Sequence, residues 1–366
     1  MIDVTNSAVD VSTTLFNNQL AAKAESLGYL PDEWLQYIYD EKLFKLFVPK
    51  RFNGLGLGFT DVLRKEEKLA GLDGSLAWTV TLCAGAMWFI GFLAPSLSEE
   101  VFADEKVCFA GSGFVGGTAN LVGDKYLING SWTYASGALH ATHFTANCEI
   151  LEHGKPVLDA KGKAVVKAFL LKKQEVTILD GWSYMGMIAT GSHSFKTKNT
   201  AVPLNRAFEI LPDKTKIDDP IYKYPFRQLA ESTLVANILG LSLRFLELVD
   251  ECFYIRNQKR KYDQDHLAYY EALKTDWGNR LQSLKTQFYD SVEQSWQQLK
   301  NENQISDDTL ALVSKNSRTL AVNCRDACSK LHPFSGLEAA KNHTAINRVW
   351  RDLNTVSQHA LLIFPF

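Results

Sequence analysis

Apolar residues recur every three or four positions through the first hundred residues, the spacing of helices that bury one face. The stretches "DEWLQYIYDEKLFKLF" (32–47) and "FTDVLRKEEKLAGL" (59–72) carry this period, as does "SLSEEVFAD" further on. Thr60 and Asp61 have side chains suited to capping the start of the second of these helices. A glycine-rich turn, "PKRFNGLGLG" (49–58), separates the first two. The run "SLAWTVTLCAGAMWFIGFLAP" (75–95) is long and apolar enough to approach a membrane span. Its Gly, Ala and Ser content and its acidic flanks predict a buried core helix instead.

Near residue 107 the pattern shortens. "VCFAGSG", "KYLINGSWTYA", "HFTANCEI", "VVKAFLL", "EVTIL" and "SHSFKTKN" are β-rich runs set apart by Gly, Asp, Asn and Lys turns. They predict a small antiparallel β-domain. From about residue 225 the helical period returns in longer segments. Residues 226–258 would span roughly 50 Å as one helix. Residues 267–300, 307–331 and the closing segment complete a four-helix bundle. The expected class is α+β, with an N-terminal helical domain (1–105), a middle antiparallel β-domain (106–212) and a C-terminal four-helix bundle (213–366).

Composition narrows the function without fixing it. The 366 residues exceed one compact core, and 46% hydrophobic with 22% charged residues is an ordinary globular balance. A net charge of −2 gives no electrostatic reason to expect nucleic acid or an anionic membrane as partner. The basic cluster "RNQKRKYDQD" (256–265) reads as the solvated end of a helix. The six cysteines form no CxxC pair and no spacing with histidines that would hold a metal, so they read as buried thiols of a reducing, cytoplasmic compartment. "MIDVTNSAVDVSTT" at the N-terminus has neither the basic nor the apolar region of a signal peptide.

The closing segment "NRVWRDLNTVSQHALL" (347–362) spaces Arg348, Asp352, Thr355 and His359 three or four residues apart, a polar row along one helical face. A histidine at the end of such a row either caps its own helix dipole or serves a site that needs a base of near-neutral pKa.

The order of blocks and three local words resemble the acyl-CoA dehydrogenase superfamily. The words are "LFKLFVPKRFNGLGLGFTDVLRKEEKLAGLDGSLAW" (43–78), "GTANLVGDKYLINGSWTYASGALHA" (117–141) and "GMIATGSHSFKTKNTAVPLNRAF" (186–208). The resemblance implies a flavin, FAD or FMN, at the seam of the β-domain and the bundle. It implies flavin contacts from Phe109, Gly111, Ser112 and Thr118 in "FAGSGFVGGT", and from Trp132, Tyr134 and Ser136 in "WTYASG". Read without that resemblance, Trp132 is a core residue and Ser136 a turn residue.

Two branches of the superfamily are open. A dehydrogenase needs a carboxylate base near the last Arg-Asp pair, yet residues 353–366 hold none; Glu231, on the first bundle helix, is the alternative. The monooxygenase branch, which includes 4-hydroxyphenylacetate and steroid-phenol hydroxylases, carries a "W-x-[FY]-x-SG…H" word and an "RD…H" word. This chain has both, in Trp132–Gly137 with His140 and in Arg351–Asp352 with His359. The resemblance implies that His359 is the base and that Ser136 holds a substrate oxygen or flavin N5, with His140 and His193 in supporting or turn positions. The Arg-x-x-Phe-Gly and Gln-x-x-Gly-Gly words of the dehydrogenases are absent at Arg256 and "SKLHPFSGLEAA" (329–340). Their absence fits an oxygenase that takes diffusible reduced flavin from a separate reductase. A small aromatic or amine would be hydroxylated. The remaining alternatives are acyl-CoA dehydrogenation and a non-catalytic relative that binds flavin or an acyl group. The family also implies a homotetramer.

Overall fold

The computed structural model describes residues 15–365, so the reading of the N-terminal "MIDVTNSAVDVSTT" lies outside the described residues. Among the described residues, helix α1 (Asn18–Leu27) starts where the Asn17 side chain accepts the Gln19 and Leu20 N–H groups. Helix α2 (Asp32–Asp40) stops earlier than the apolar period suggests, because the chain turns at Lys42 (φ +54°) into a 3-10 turn over Leu43–Lys45. Helix α3 (Phe59–Leu72) begins after Gly58, which supplies no side-chain cap. The expected caps are therefore not used: Thr60 instead donates its hydroxyl to Glu293 Oε2 at 2.6 Å.

Helix α4 (Gly74–Met87) starts from Asp73, whose carboxylate accepts the Leu76 N–H. It is the apolar run of the sequence, and it is buried on every side rather than along one stripe. That explains its membrane-like hydropathy: a helix without a solvent face has no use for polar positions. Helix α5 (Pro95–Phe102) closes the N-terminal block.

The strands β1 (Phe109–Val122), β2 (Lys125–Ala135), β3 (His143–Glu152), β4 (Lys155–Pro156), β5 (Val166–Lys172), β6 (Thr177–Leu179), β7 (His193–Pro203) and β8 (Ala207–Phe208) form one sheet of order β6-β7-β2-β1-β3-β5-β8, with β4 paired to β3. All pairings are antiparallel except β1 with β3, which is parallel. Trp132 is fully buried at the centre of this layer. It stacks on Phe195 at 5.1 Å and donates its indole N–H to the Asn147 carbonyl. Gly117 and Gly130 make room for it: a Cβ at either would lie 2.4 or 2.6 Å from the indole.

After the short helix α6 (Pro220–Lys223) come α7 (Phe226–Arg260), α8 (Gln264–Glu302), α9 (Asp307–Leu331) and α10 (Ala345–Val356), the expected four-helix set. The helices of both chain ends share one apolar core, in which Trp34 of α2 and Leu76 of α4 lie with Leu239 of α7 and Leu353 of α10. The sheet keeps a separate core. The end of β2 with the loop before β7, α4 and the end of α10 converge.

Candidate active site

A cleft of about 620 Å³ opens where those three elements meet. Trp78 and Leu82 of α4 form one wall, and Tyr134 and Ser136 at the end of β2 form another. The loop between β6 and β7 contributes Trp182, Tyr184, Met185 and Met187, with Ser192 just before β7. Thr355, Val356, Gln358, His359 and Ala360, running past the end of α10, close the far side. Trp182 and Tyr184 stack at 4.1 Å, and Tyr134 meets both rings edge-on. Tyr134 (φ +63°) and Met187 (φ +55°) hold left-handed backbone, which non-glycine residues seldom adopt, and both line the cleft.

The polar groups are few and convergent. Ser136 Oγ lies 2.8 Å from Ser192 Oγ, which lies 2.7 Å from Thr190 Oγ1. His359 faces the cleft across the edge of Trp78, ring centroids 6.2 Å apart. Burial lowers its pKa from the usual 6.5, so the ring is neutral at pH 7. Its Nδ1 accepts the Leu361 N–H at 3.4 Å, a weak contact that a substrate hydroxyl can displace. Apart from His359 and the two tyrosines, no titratable side chain lines the cleft among the described residues.

The Arg351–Asp352 pair does not enter the cleft but anchors its loop. Arg351 donates to the Met185 carbonyl at 2.6 Å and pairs with Glu25 at 2.8 Å. Asp352 accepts the Met187 N–H. The approach is close enough that Gly186 is required: a Cβ there would stand 2.1 Å from the Arg351 carbonyl oxygen. Burial first, then neighbouring Asp73, raises the Asp352 carboxyl to about 8.

The polar row seen in the sequence is therefore divided. Helix α10 ends at Val356, and His359 lies in the turn beyond it, its N–H bonded to the Val356 carbonyl. Arg348 turns the other way, donating to Asn18 Oδ1 at 2.8 Å. Of the residues matched to the flavin strands, Tyr134 and Ser136 line the cleft. Phe109 is buried between Phe102 and His143, and Trp132 sits inside the sheet core. Gly111 packs against the Thr145 side chain, Ser112 accepts the Phe114 N–H, and Thr118 pairs across to Asn129. None of these five lines the cleft.

Glu231 is wholly buried between α7 and α9, where it binds Arg318 and Arg227. It is not among the cleft-lining residues. His140 accepts the Leu30 N–H through Nε2 and packs on Tyr29. His193 accepts the Trp182 N–H at 3.4 Å and steadies the loop. Trp78, Trp182, Tyr184, Thr190 and Ser192 escaped the sequence reading. The one signal available was the density of aromatics and methionines in the non-periodic "GWSYMGM" (181–187).

A flat ring system with hydrogen-bonding edges fits this lining: aromatic faces to pack against, and a buried hydroxyl at the deep end. Ser136, Tyr134 and Trp182 are the residues that would hold a flavin here.

Comparison with known proteins agrees with the geometry. Residues 233–364 match the model of the acyl-CoA dehydrogenase C-terminal domain. The chain is 24% identical over 361 residues to the flavin-dependent monooxygenase oxygenase subunit HsaA of Mycobacterium tuberculosis, covering 93% of this chain and 87% of that protein. It is also 24% identical to the indole-3-acetate monooxygenase of Pseudomonas putida, covering 87% of this chain and 80% of that one. The structure of XiaF from Streptomyces, in complex with FADH2 and glycerol, superposes with a TM-score of 0.84 at 19% identity, covering 97% of this chain and 91% of XiaF. The chain has the acyl-CoA dehydrogenase fold and resembles the flavin-dependent monooxygenases that share it.

Proposed function

We propose that this chain is the oxygenase component of a two-component flavin-dependent monooxygenase that hydroxylates a small aromatic molecule. The observation that carries this reading is the convergence of Ser136 and neutral His359 on one aromatic-walled cleft. When bound in reduced form, a flavin supplies the electrons that reduce dioxygen, one oxygen atom going to the substrate and the other leaving as water. Around that chemistry, Trp182 and Tyr184 pack on flat rings, and Met185 and Leu82 add apolar surface to the lining. His359 accepts the hydroxyl proton of a phenol, raising electron density on its ring, and later returns a proton. Ser136 holds a polar edge of the bound ring system.

The lining narrows the substrate further. With no lysine or arginine in the cleft, a carboxylate entering it would be stripped of water with no cation to meet. The favoured substrate is therefore an uncharged phenol or indole. A separate reductase supplies the reduced flavin, as the two-component relatives' names suggest. Tyr254, Ile255, Tyr269 and Leu337 are exposed apolar side chains of the C-terminal helical region, and their burial between copies of the chain would favour a homotetramer. Six free cysteines support a cytoplasmic location.

The test is to supply purified protein with reduced FMN or FAD, dioxygen and a panel of phenols and indoles, with and without carboxylates. The expected result is an uncharged product heavier by one oxygen atom. No hydroxylated product across the panel, with desaturation of an acyl-CoA offered in parallel with oxidised flavin, would overturn the reading.

A further inference from the structure

Ser136 ends a chain of three hydroxyls whose hydrogens run in one direction only. Thr190 Oγ1 lies 2.7 Å from the Met187 carbonyl oxygen. A carbonyl cannot donate, and two bare oxygens that close repel, so the Thr190 hydrogen lies between them. Thr190 Oγ1 is also 2.7 Å from Ser192 Oγ. With the Thr190 hydrogen committed, Ser192 is the donor in that contact. Ser192 Oγ is in turn 2.8 Å from Ser136 Oγ, so there Ser136 donates. A hydroxyl has one hydrogen, and Ser136 has spent it on Ser192. Toward the cleft Ser136 presents lone pairs alone.

The starting point of the chain is itself held fixed. The Met187 carbonyl also accepts the Trp182 indole N–H at 2.8 Å, and the Met187 N–H is bound by Asp352. That residue's peptide groups, anchored on both sides, cannot turn over and reverse the direction of the hydroxyls.

We propose that Ser192 and Thr190 are positioning residues that hold Ser136 as an obligate hydrogen-bond acceptor, so that the cleft takes reduced flavin, whose N5 carries a hydrogen, in preference to oxidised flavin, whose N5 is a bare acceptor. This inference rests on the flavin reading above. It assigns roles that act through Ser136 to Ser192, which also lines the cleft, and to Thr190, which lies behind it.

The test is equilibrium binding under anaerobic conditions, with FMN and FAD each in both redox states. The proteins are wild type, Ser192→Ala, Thr190→Val, Ser136→Ala and the Ser136→Ala/Ser192→Ala double variant. Wild type should bind the reduced form about tenfold more tightly, the worth of one hydrogen bond against an acceptor facing an acceptor. That ratio corresponds to a rise of about 30 mV in the two-electron potential of the bound flavin. Ser192→Ala lets the Ser136 hydroxyl rotate and donate, and the ratio falls toward one. Thr190→Val keeps the side-chain shape but frees the Ser192 hydrogen, and should act in the same direction. Because both work through Ser136, adding Ser192→Ala to Ser136→Ala should change the ratio no further. A wild-type ratio near one, or a ratio unmoved by both Ser192→Ala and Thr190→Val, overturns the inference while leaving the flavin reading standing. Failure of wild type to bind flavin in either state overturns the flavin reading, and this inference with it.

Discussion

Asp352, one turn before the end of the last helix, accepts the backbone N–H of Met187 in the loop that walls the cleft. Arg351 beside it holds the Met185 carbonyl at 2.6 Å. Two neighbouring residues of α10 thus fix the position of an aromatic wall some 165 residues earlier in the chain. Asp352→Ala should free that wall, and Asp352→Asn, which retains an acceptor oxygen, should not. Losing a buried hydrogen bond costs about 1–3 kcal/mol, so phenol binding should weaken roughly tenfold or more in Asp352→Ala alone. Hydrogen exchange at 182–187 should rise in parallel. Equal exchange in the two variants would refute the anchoring role.

The same carboxyl makes stability depend on pH. Burial and Asp73 raise it to about 8, whereas in the unfolded chain it titrates near 3.8. Between those values the folded protein holds a proton that the unfolded chain has released. The contribution is fully present below pH 3.8 and disappears as pH rises through about 8. Asp73, raised to about 6 by burial, works in the same sense at lower pH. Urea unfolding at pH 5 and pH 9 should therefore show Asp352→Asn gaining on wild type as pH rises. Parallel pH dependences for the two proteins would contradict the assignment.

His359 should set the acidic limb of the turnover profile. Burial lowers its pKa, so the neutral form persists below the pH at which an ordinary histidine charges. The rate for a phenol should fall only as pH drops below 6.5, the usual histidine value. His359→Asn should remove that limb and lower kcat by about 10²-fold or more. A profile that keeps its limb in the variant would assign the titration to another group.

Trp132 and Tyr134 lie two residues apart with opposite surroundings. Trp132 is fully buried in the sheet core, whereas Tyr134 is 60% exposed at the cleft. Trp132→Ala should cost about 3–5 kcal/mol of stability through the cavity it leaves. Tyr134→Ala should leave the unfolding midpoint nearly unchanged and weaken the binding of flat ligands. Thermal melts alongside ligand titration separate the two, and a flavin-binding defect in a fully stable Trp132→Ala protein would reverse the assignment.

Glu231 offers a control for the dehydrogenase alternative. Breaking its buried pair with Arg318 by Glu231→Ala should destabilise the bundle by about 3–5 kcal/mol. At temperatures where the variant stays folded, hydroxylation should persist. Abolished chemistry in a folded variant would return Glu231 to the active site.

Much of the architecture could be read from the sequence because period and element length are local properties. Helix α3 and the long α7, α8 and α9 follow their apolar spacing closely. The parallel pairing of β1 with β3 was not legible, since alternation marks a strand without giving its direction. Nor was the end of α10: no glycine or proline follows until Pro365, so the period runs on through His359 while the helix stops at Val356. The cleft lining was legible only in part. Ser136 and His359 came from words that resemble a family, while Thr190 and Ser192 acquire meaning only when the 188–192 turn is brought against the end of β2.

The central claim is that flavin and an aromatic substrate meet between Ser136 and His359. Its most direct test is a single turnover: protein loaded anaerobically with reduced flavin and an uncharged phenol, then exposed to ¹⁸O-labelled dioxygen. The account predicts one labelled oxygen atom in the phenol product, lost in His359→Asn although that variant still binds flavin. Reoxidation of the flavin with no label in any product would contradict it.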